Sequence, residues 1–188
     1  MVLGQSQAGA AQALLELASQ GHFELAIPAL ALAETITNVE RERRTRANLY
    51  VEFETQARRQ LRCEPHREAI VEAARSSLAN ITRNEEARLR DVLQRVLEVG
   101  RMLPSTPADL VGSLAYAQDF DLRAQDAIIY AAVIHDLQQR PPEEPKCLLD
   151  RDRHFQAVEP ELEPRNCRLI GSFDGALDFI HRTWGIHA

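Results

Sequence analysis

Lys146-Cys147-Leu148-Leu149-Asp150-Arg151-Asp152-Arg153-His154-Phe155 is the stretch on which the fold reading turns. A short apolar run stops at two acids, the pattern of a buried strand that hands over to a polar turn. Pro141-Pro142-Glu143-Glu144-Pro145 precedes it as a loop. Before that loop, a helix start near Asp121 opens a helix over Arg123–Gln139. After the turn, Cys167-Arg168-Leu169-Ile170 reads as a second short strand and Ala176–Thr183 as a closing helix.

The alternation continues towards the N-terminus. Residues 8–20 read as a helix closed by Gly21 as its C′ residue. Phe23-Glu24-Leu25-Ala26-Ile27 alternates as a strand, and Pro28 stops it and suits the first position of the next helix. That helix carries Leu30, Leu32, Glu34 and Ile36. From about 40 to 101 the text is Arg/Glu-rich and helical, with Leu78, Ile81, Leu89, Val92, Leu93, Val96 and Leu97 at helical spacing and Pro65 as its one proline. It predicts two or three helices, as an insertion or a helical lid. Ser105-Thr106-Pro107-Ala108-Asp109 starts a further helix that runs to about Gln118.

Strands separated by helices predict parallel pairing. The expected fold is a three-layer α/β/α domain over 1–188, with a parallel sheet of about four strands and a helical insertion at about 40–103. In such sheets ligands bind beyond the carboxyl ends of the strands.

The 188 residues are 45% hydrophobic and 27% charged, globular values, and no apolar run approaches the roughly 20 residues of a membrane helix. Met1-Val2-Leu3-Gly4-Gln5 shows no export signal. Cys63, Cys147 and Cys167 show no CxxC spacing, so buried thiols in a reducing cytoplasm are expected. A net charge of −6 disfavours a generic nucleic-acid binder. The charge is uneven, however. Residues 40–101 carry 14 arginines against 11 acids, while the rest carries 8 basic residues against 17 acids.

Four acids stand where a ligand crevice would be. Asp150 and Asp152 follow a strand, Glu34 lies about two turns into a helix that follows a strand, and Asp126 lies in the first turns of a helix entering the core. Carboxylates far apart in sequence that converge on one point hold hard divalent ions such as Mg²⁺ or Mn²⁺. Taken singly, each has an ordinary structural reading. Glu34 suits a solvated helix face, Asp126 a helix N-terminus, and Asp150 and Asp152 a turn or a cap.

Three segments together resemble the PIN-domain ribonuclease family. Ile27-Pro28-Ala29-Leu30-Ala31-Leu32-Ala33-Glu34 resembles its strand–Pro–helix–Glu segment. Leu122-Arg123-Ala124-Gln125-Asp126-Ala127-Ile128-Ile129-Tyr130-Ala131-Ala132 resembles its Asp-Ala-apolar-apolar-x-Ala helix. Leu148–Phe155 resembles its Thr-x-Asp-x-x-Phe segment, with Asp152 on the family's acid and Asp150 in the place of its hydroxyl residue. The resemblance implies metal-dependent endonucleolytic cleavage of single-stranded RNA, with Glu34, Asp126 and Asp152 as catalytic ligands of Mg²⁺ or Mn²⁺ and Asp150 as an extra ligand. It also implies a toxin-type role with a cognate antitoxin protein, and a homodimer.

Two departures from the family pattern bear on this. The family's first strand ends in an aspartate, and Met1-Val2-Leu3-Gly4 resembles the residues just after it, so that ligand is expected before Met1 or is missing. The 40–101 stretch is also longer than compact family toxins carry. The alternative is a catalytically impaired PIN-like scaffold that binds RNA or a partner protein. Leu148–Asp152 also resembles the nucleophile motif of haloacid-dehalogenase-like phosphatases, but Arg153-His154-Phe155 follows where that motif carries Gly and Thr or Val.

The arginines at 41, 43, 44, 46, 58, 59, 62 and 67 are placed to line an RNA path. Against that stand the acid-first i,i+4 pairs Glu40–Arg44, Glu42–Arg46, Glu54–Arg58, Glu86–Arg90 and Asp91–Arg95, which predict a salt-bridged solvated face. The six histidines form no HxxxH pattern, so zinc is not expected.

Overall fold

A computed structural model describes residues 5–60 and 66–185. The chain is mainly helical, with 75% of it in helix. The order is α1 (Gln5–Ser19), β1 (Ala26–Pro28), α2 (Ala29–Gln60), α3 (Arg67–Val99), β2 (Arg101–Leu103), α4 (Pro107–Asp119), α5 (Ala124–Gln138), β3 (Lys146–Leu149), α6 (Glu159–Leu162), β4 (Cys167–Ile170) and α7 (Phe173–Trp184). Single 3-10 turns at Arg153–Val158 and Glu163–Arg165 flank α6.

This corrects the expected three-layer α/β/α fold with one parallel sheet of about four strands. The described strands form two separate parallel pairs, β1 with β2 and β3 with β4. The reason is length and a missing donor. β1 and β2 are three residues each, and the third residue of β1 is Pro28, which has no N–H to offer a ladder. The two longest helices, α2 and α3, contain neither Gly nor Pro and so run unbroken for 32 and 33 residues. Met1–Gly4, Cys63 and Pro65, on which sequence readings rested, lie outside the described residues.

The chain divides into two compact units, one of residues up to Ala31 together with Val96 onwards, the other of Leu32–Arg95. In the first unit, β3 and β4 separate two small cores. Leu148, Cys167 and Leu169 join Leu122, Ala127, Tyr130, Ile134, Phe155, Val158 and Leu162 on one side. Cys147, Leu149 and Ile170 join Leu14, Ala176 and Ile180 on the other. Alternate residues of a strand point to opposite faces, and burial of both faces explains the continuous apolar run Cys147-Leu148-Leu149.

Helix α5 is the spine of the first core. Ala127, Tyr130, Ala131, Ala132, Val133 and Ile134 are all buried, so it is apolar nearly all round. Tyr116, Phe120 and Phe155 meet the Tyr130 ring edge-on, with centroids 5.0, 5.9 and 6.2 Å away. Its hydroxyl donates to Glu161 at 3.0 Å, so the polar tip of a fully buried side chain is satisfied. Helix α4 begins as the sequence predicts. Thr106 and Asp109 form a reciprocal capping box with Pro107 just inside. Gly21 closes α1 at φ +77°, and His22 N–H donates to Leu17 O at 3.1 Å.

In the second unit, α2 and α3 run antiparallel. Arg43 meets Glu86 at 3.0 Å and Arg46 forks onto Glu85, while further along α2 Tyr50 and Glu54 meet Arg75. Among its described apolar side chains only Ala57 and Val71 are buried. An open groove of about 350 Å³ runs between Arg46, Leu49, Tyr50 and Phe53 on α2 and Ala74, Ser77 and Leu78 on α3.

Candidate carboxylate site

The turn after β3 is built by its own acids. The Asp150 N–H still donates to Ile170 O at 3.0 Å, extending the strand pair by one bond. Its Oδ1 accepts from Asp152 N–H at 2.7 Å, and Asp152 Oδ1 accepts from His154 N–H at 3.1 Å. Asp152 is thus the N-cap of the 3-10 turn that follows. The capping role expected of these acids as an ordinary reading is realised, and it fixes both carboxylates at the carboxyl end of β3.

Asp126 reaches the same place from α5. It is the third residue of that helix and is half-buried. Tyr130 lies one turn further on, so the two side chains share a helix face. Phe155, three residues after Asp152, is buried edge-on against Tyr130. This aromatic contact ties the Asp152 turn to the N-terminal half of α5. The electrostatics reflect the approach. Burial, then the negative charge of Asp152, raise the Asp126 carboxyl above its ordinary value, while Arg123 and His154 pull the other way.

Asp126 and Asp152 thus lie near enough for their charges to interact, and both belong, with Asp150, to the first unit. Glu34 lies half-buried on α2 in the stretch that belongs to the second unit. Among the described residues, no group of three or more His, Cys, Asp and Glu side chains gathers closely enough to hold a metal ion. The chemistry of the Asp126 and Asp152 donors suits a hard ion, because Mg²⁺ takes one or two protein carboxylates and fills its shell with water and substrate phosphate.

Other polar groupings escaped the sequence reading. Asp109, 5% exposed, accepts from Thr106 N–H at 2.7 Å and from the Thr106 hydroxyl at 2.8 Å, and its other oxygen meets His135 Nδ1 at 2.8 Å. Burial alone would raise its carboxyl, but these bonds hold it below the ordinary range. Arg101 forks onto Asp136 at 2.7 and 2.8 Å and also bonds Glu24, which Arg140 reaches at 3.1 Å. This network ties β1, β2 and the end of α5. Only the Thr106–Asp109 spacing signalled any of it. The remaining partners are separated by 26 to 116 residues, and no local pattern links them.

Along the hairpin, Arg44 pairs with Glu40, Arg46 with Glu42 and Arg58 with Glu54, as the i,i+4 spacing predicts. Glu86, expected to meet Arg90, meets Arg43 across the hairpin instead. Much of the arginine charge is thus paired within the unit. Cys147 and Cys167 are free thiols that join opposite cores, and burial pushes them up to about 11 and about 12, so neither is a reactive nucleophile.

Comparison with family models, with curated protein sequences and with solved structures finds no match to this chain. No helix among the described residues is long and apolar enough to cross a membrane.

Proposed function

We propose that this chain is a divalent-metal-dependent endoribonuclease acting on single-stranded RNA, with Asp126 and Asp152 as the residues that would hold Mg²⁺ or Mn²⁺. The feature that supports it best is the electrostatic coupling of two acids distant in the chain, one of them at the carboxyl end of β3. Asp126 carries an electrostatic penalty from Asp152. A divalent ion held by Asp126 and Asp152 would relieve that repulsion and would supply Lewis-acid chemistry for water and the phosphodiester.

The chain's own groups have defined tasks around it. Asp150 holds the Asp152 backbone in place through its 2.7 Å bond. Arg123, exposed at the start of α5 and close enough to lower the Asp126 carboxyl, is placed to meet a substrate phosphate. The Phe155–Tyr130 contact keeps the two backbone segments at a fixed separation. The free thiols of half-buried Cys147 and buried Cys167 suit a reducing compartment, and the cytoplasm is the proposed location.

A second reading, an RNA- or protein-binding scaffold without cleavage, draws on the same geometry. Both Asp150 and Asp152 are engaged as backbone caps, and no third ligand gathers with the pair. The test is Mn²⁺-dependent cleavage of single-stranded RNA by the wild-type chain, Asp126→Asn and Asp152→Asn. The nuclease reading expects either substitution to lower the rate by roughly two orders of magnitude, since several kcal/mol of charge stabilisation is removed. Equal rates in the wild type and Asp126→Asn would overturn it. RNA binding with no cleavage in any of the three would favour the scaffold.

A further inference from the structure

We propose that Arg123, Arg151 and Arg153 hold the phosphate backbone of the RNA strand, so that the strand lies across the turn after β3 and not along the arginines of α2 and α3. The inference rests on the reading of RNA as the substrate of the carboxylate site, and binding rather than cleavage is its readout. The first unit carries nine basic residues against seventeen acids, a balance that repels nucleic acid wherever cations are not gathered. Five of the nine are engaged. Arg101 and Arg140 meet Glu24 and Asp136, Arg165 meets Glu161, and Arg182 meets Asp178. Lys146 donates to the carbonyls of Pro141 and Glu144. The other four, Arg123, Arg151, Arg153 and Arg168, are exposed, and none of them forms an ion pair among the described residues. Three of these four border the candidate acids. Arg151 and Arg153 flank Asp152 in the chain, and Arg123 opens α5 three residues before Asp126.

Local stability does not account for them. Arg123 is the N-cap of α5, where the helix dipole disfavours a cation, and its side chain caps nothing. Arg151 and Arg153 leave the capping of their turn to Asp150 and Asp152. What a guanidinium does offer is a planar, weakly hydrated fork that matches phosphate oxygens. With Asp121, Asp126, Asp150 and Asp152 the cluster has four acids against three arginines, a net of −1. A divalent ion held by Asp126 and Asp152 would bring that to +1, the sign an RNA strand requires. The hairpin offers no comparable set, because Arg43, Arg44, Arg46, Arg58 and Arg75 are each committed to a glutamate of their own unit. Arginine on phosphate positions a strand without reading its bases, so the binding is tolerant of sequence.

Fluorescence anisotropy of labelled oligouridylate and oligoadenylate with the full chain tests this, with Ca²⁺ supplied as the hard divalent ion. Arg151→Ala/Arg153→Ala removes two exposed side chains without ion-pair partners and is expected to keep the wild-type melting temperature. It should weaken both probes alike, by about tenfold or more. It should also reduce the salt dependence, lowering the slope of log K against log salt by about 1.4, since each phosphate contact on a single strand contributes about 0.7. Arg41→Ala/Arg59→Ala, which takes the same charge from the hairpin, is expected to leave affinity and slope unchanged. No loss from the turn pair, an equal loss from the hairpin pair, or a wild type that binds neither probe overturns the inference, and the Asp126→Asn cleavage comparison still decides the nuclease reading separately. Loss of binding in the turn pair alone upholds the inference even where the wild type cleaves nothing.

Discussion

Asp109 and Asp126 each stand third in a helix, where the helix N-terminus favours a negative charge, yet their surroundings drive them in opposite directions. Asp109 is held below its ordinary value near 3.8 by Thr106 and His135 against the effect of burial. A folded value below the unfolded one adds stability that is complete above the unfolded value and is lost as pH falls through the folded one. Asp109→Ala breaks the capping box and leaves the half-buried Thr106 donors unpaired, for an expected loss of about 1–3 kcal/mol in urea unfolding near neutral pH. The loss should shrink in acid. Asp126 has the opposite sign. Burial and Asp152 raise its carboxyl, so it subtracts stability above its folded value, and the deficit disappears as pH falls below the unfolded one. Asp126→Asn is therefore expected to unfold at a higher temperature than the wild type near neutral pH without added metal. The gap should close in acid, and a lower melting temperature for the variant at neutral pH would contradict the coupling to Asp152.

At the scale of elements, the sequence was legible wherever one local rule decided. The apolar run before Asp150, the Thr106–Asp109 box and the Gly21 stop each became the element they predict. β2 was not legible, because Arg101–Leu103 is three residues at the end of a helical text and its partner β1 lies some 75 residues earlier. The single sheet failed for a related reason. Strand-like segments reveal their own conformation but not their neighbours, and a ladder ending at Pro28 has few bonds with which to recruit another strand. The junction into β2 is tight. A Cβ at Gly100 would sit 2.7 Å from Val96 O and 2.8 Å from Ile27 Cδ1. Gly100→Ala should cost about 1–3 kcal/mol through this overpacking, measured by urea unfolding. A cost near zero would mean that the α3–β2 junction yields freely.

At the scale of the whole molecule, the chain's buried apolar side chains belong mostly to the first unit. The second unit buries Ala57 and Val71 and leaves Ile36, Leu49, Val51, Phe53, Ile70, Ile81 and Val92 exposed, with ion pairs between its helices that are largely exposed as well. Exposed pairs contribute little and are screened by salt. Hydrogen exchange should accordingly find the α2 and α3 amides of residues 32–60 and 68–95 opening well before those of α5, and more so at high salt. Equal protection in both would refute this division of stability. The same division explains what could be read of the site. The positions of Asp126 and Asp152 were legible because each sits at a predictable end of an element of the first unit, while Glu34, placed two turns into the helix after β1, lies in a stretch of α2 that belongs to the second unit.

The central claim, that Asp126 and Asp152 hold a divalent ion together, is tested most directly by thermal unfolding of the wild type, Asp126→Asn and Asp152→Asn across a Mn²⁺ titration. An ion that binds only the folded state stabilises it by RT ln(1 + [ion]/Kd), so the midpoint climbs with the logarithm of concentration once that exceeds Kd. The account predicts such a rise in the wild type that either substitution abolishes. A rise of equal size in all three, or none in the wild type, would contradict it.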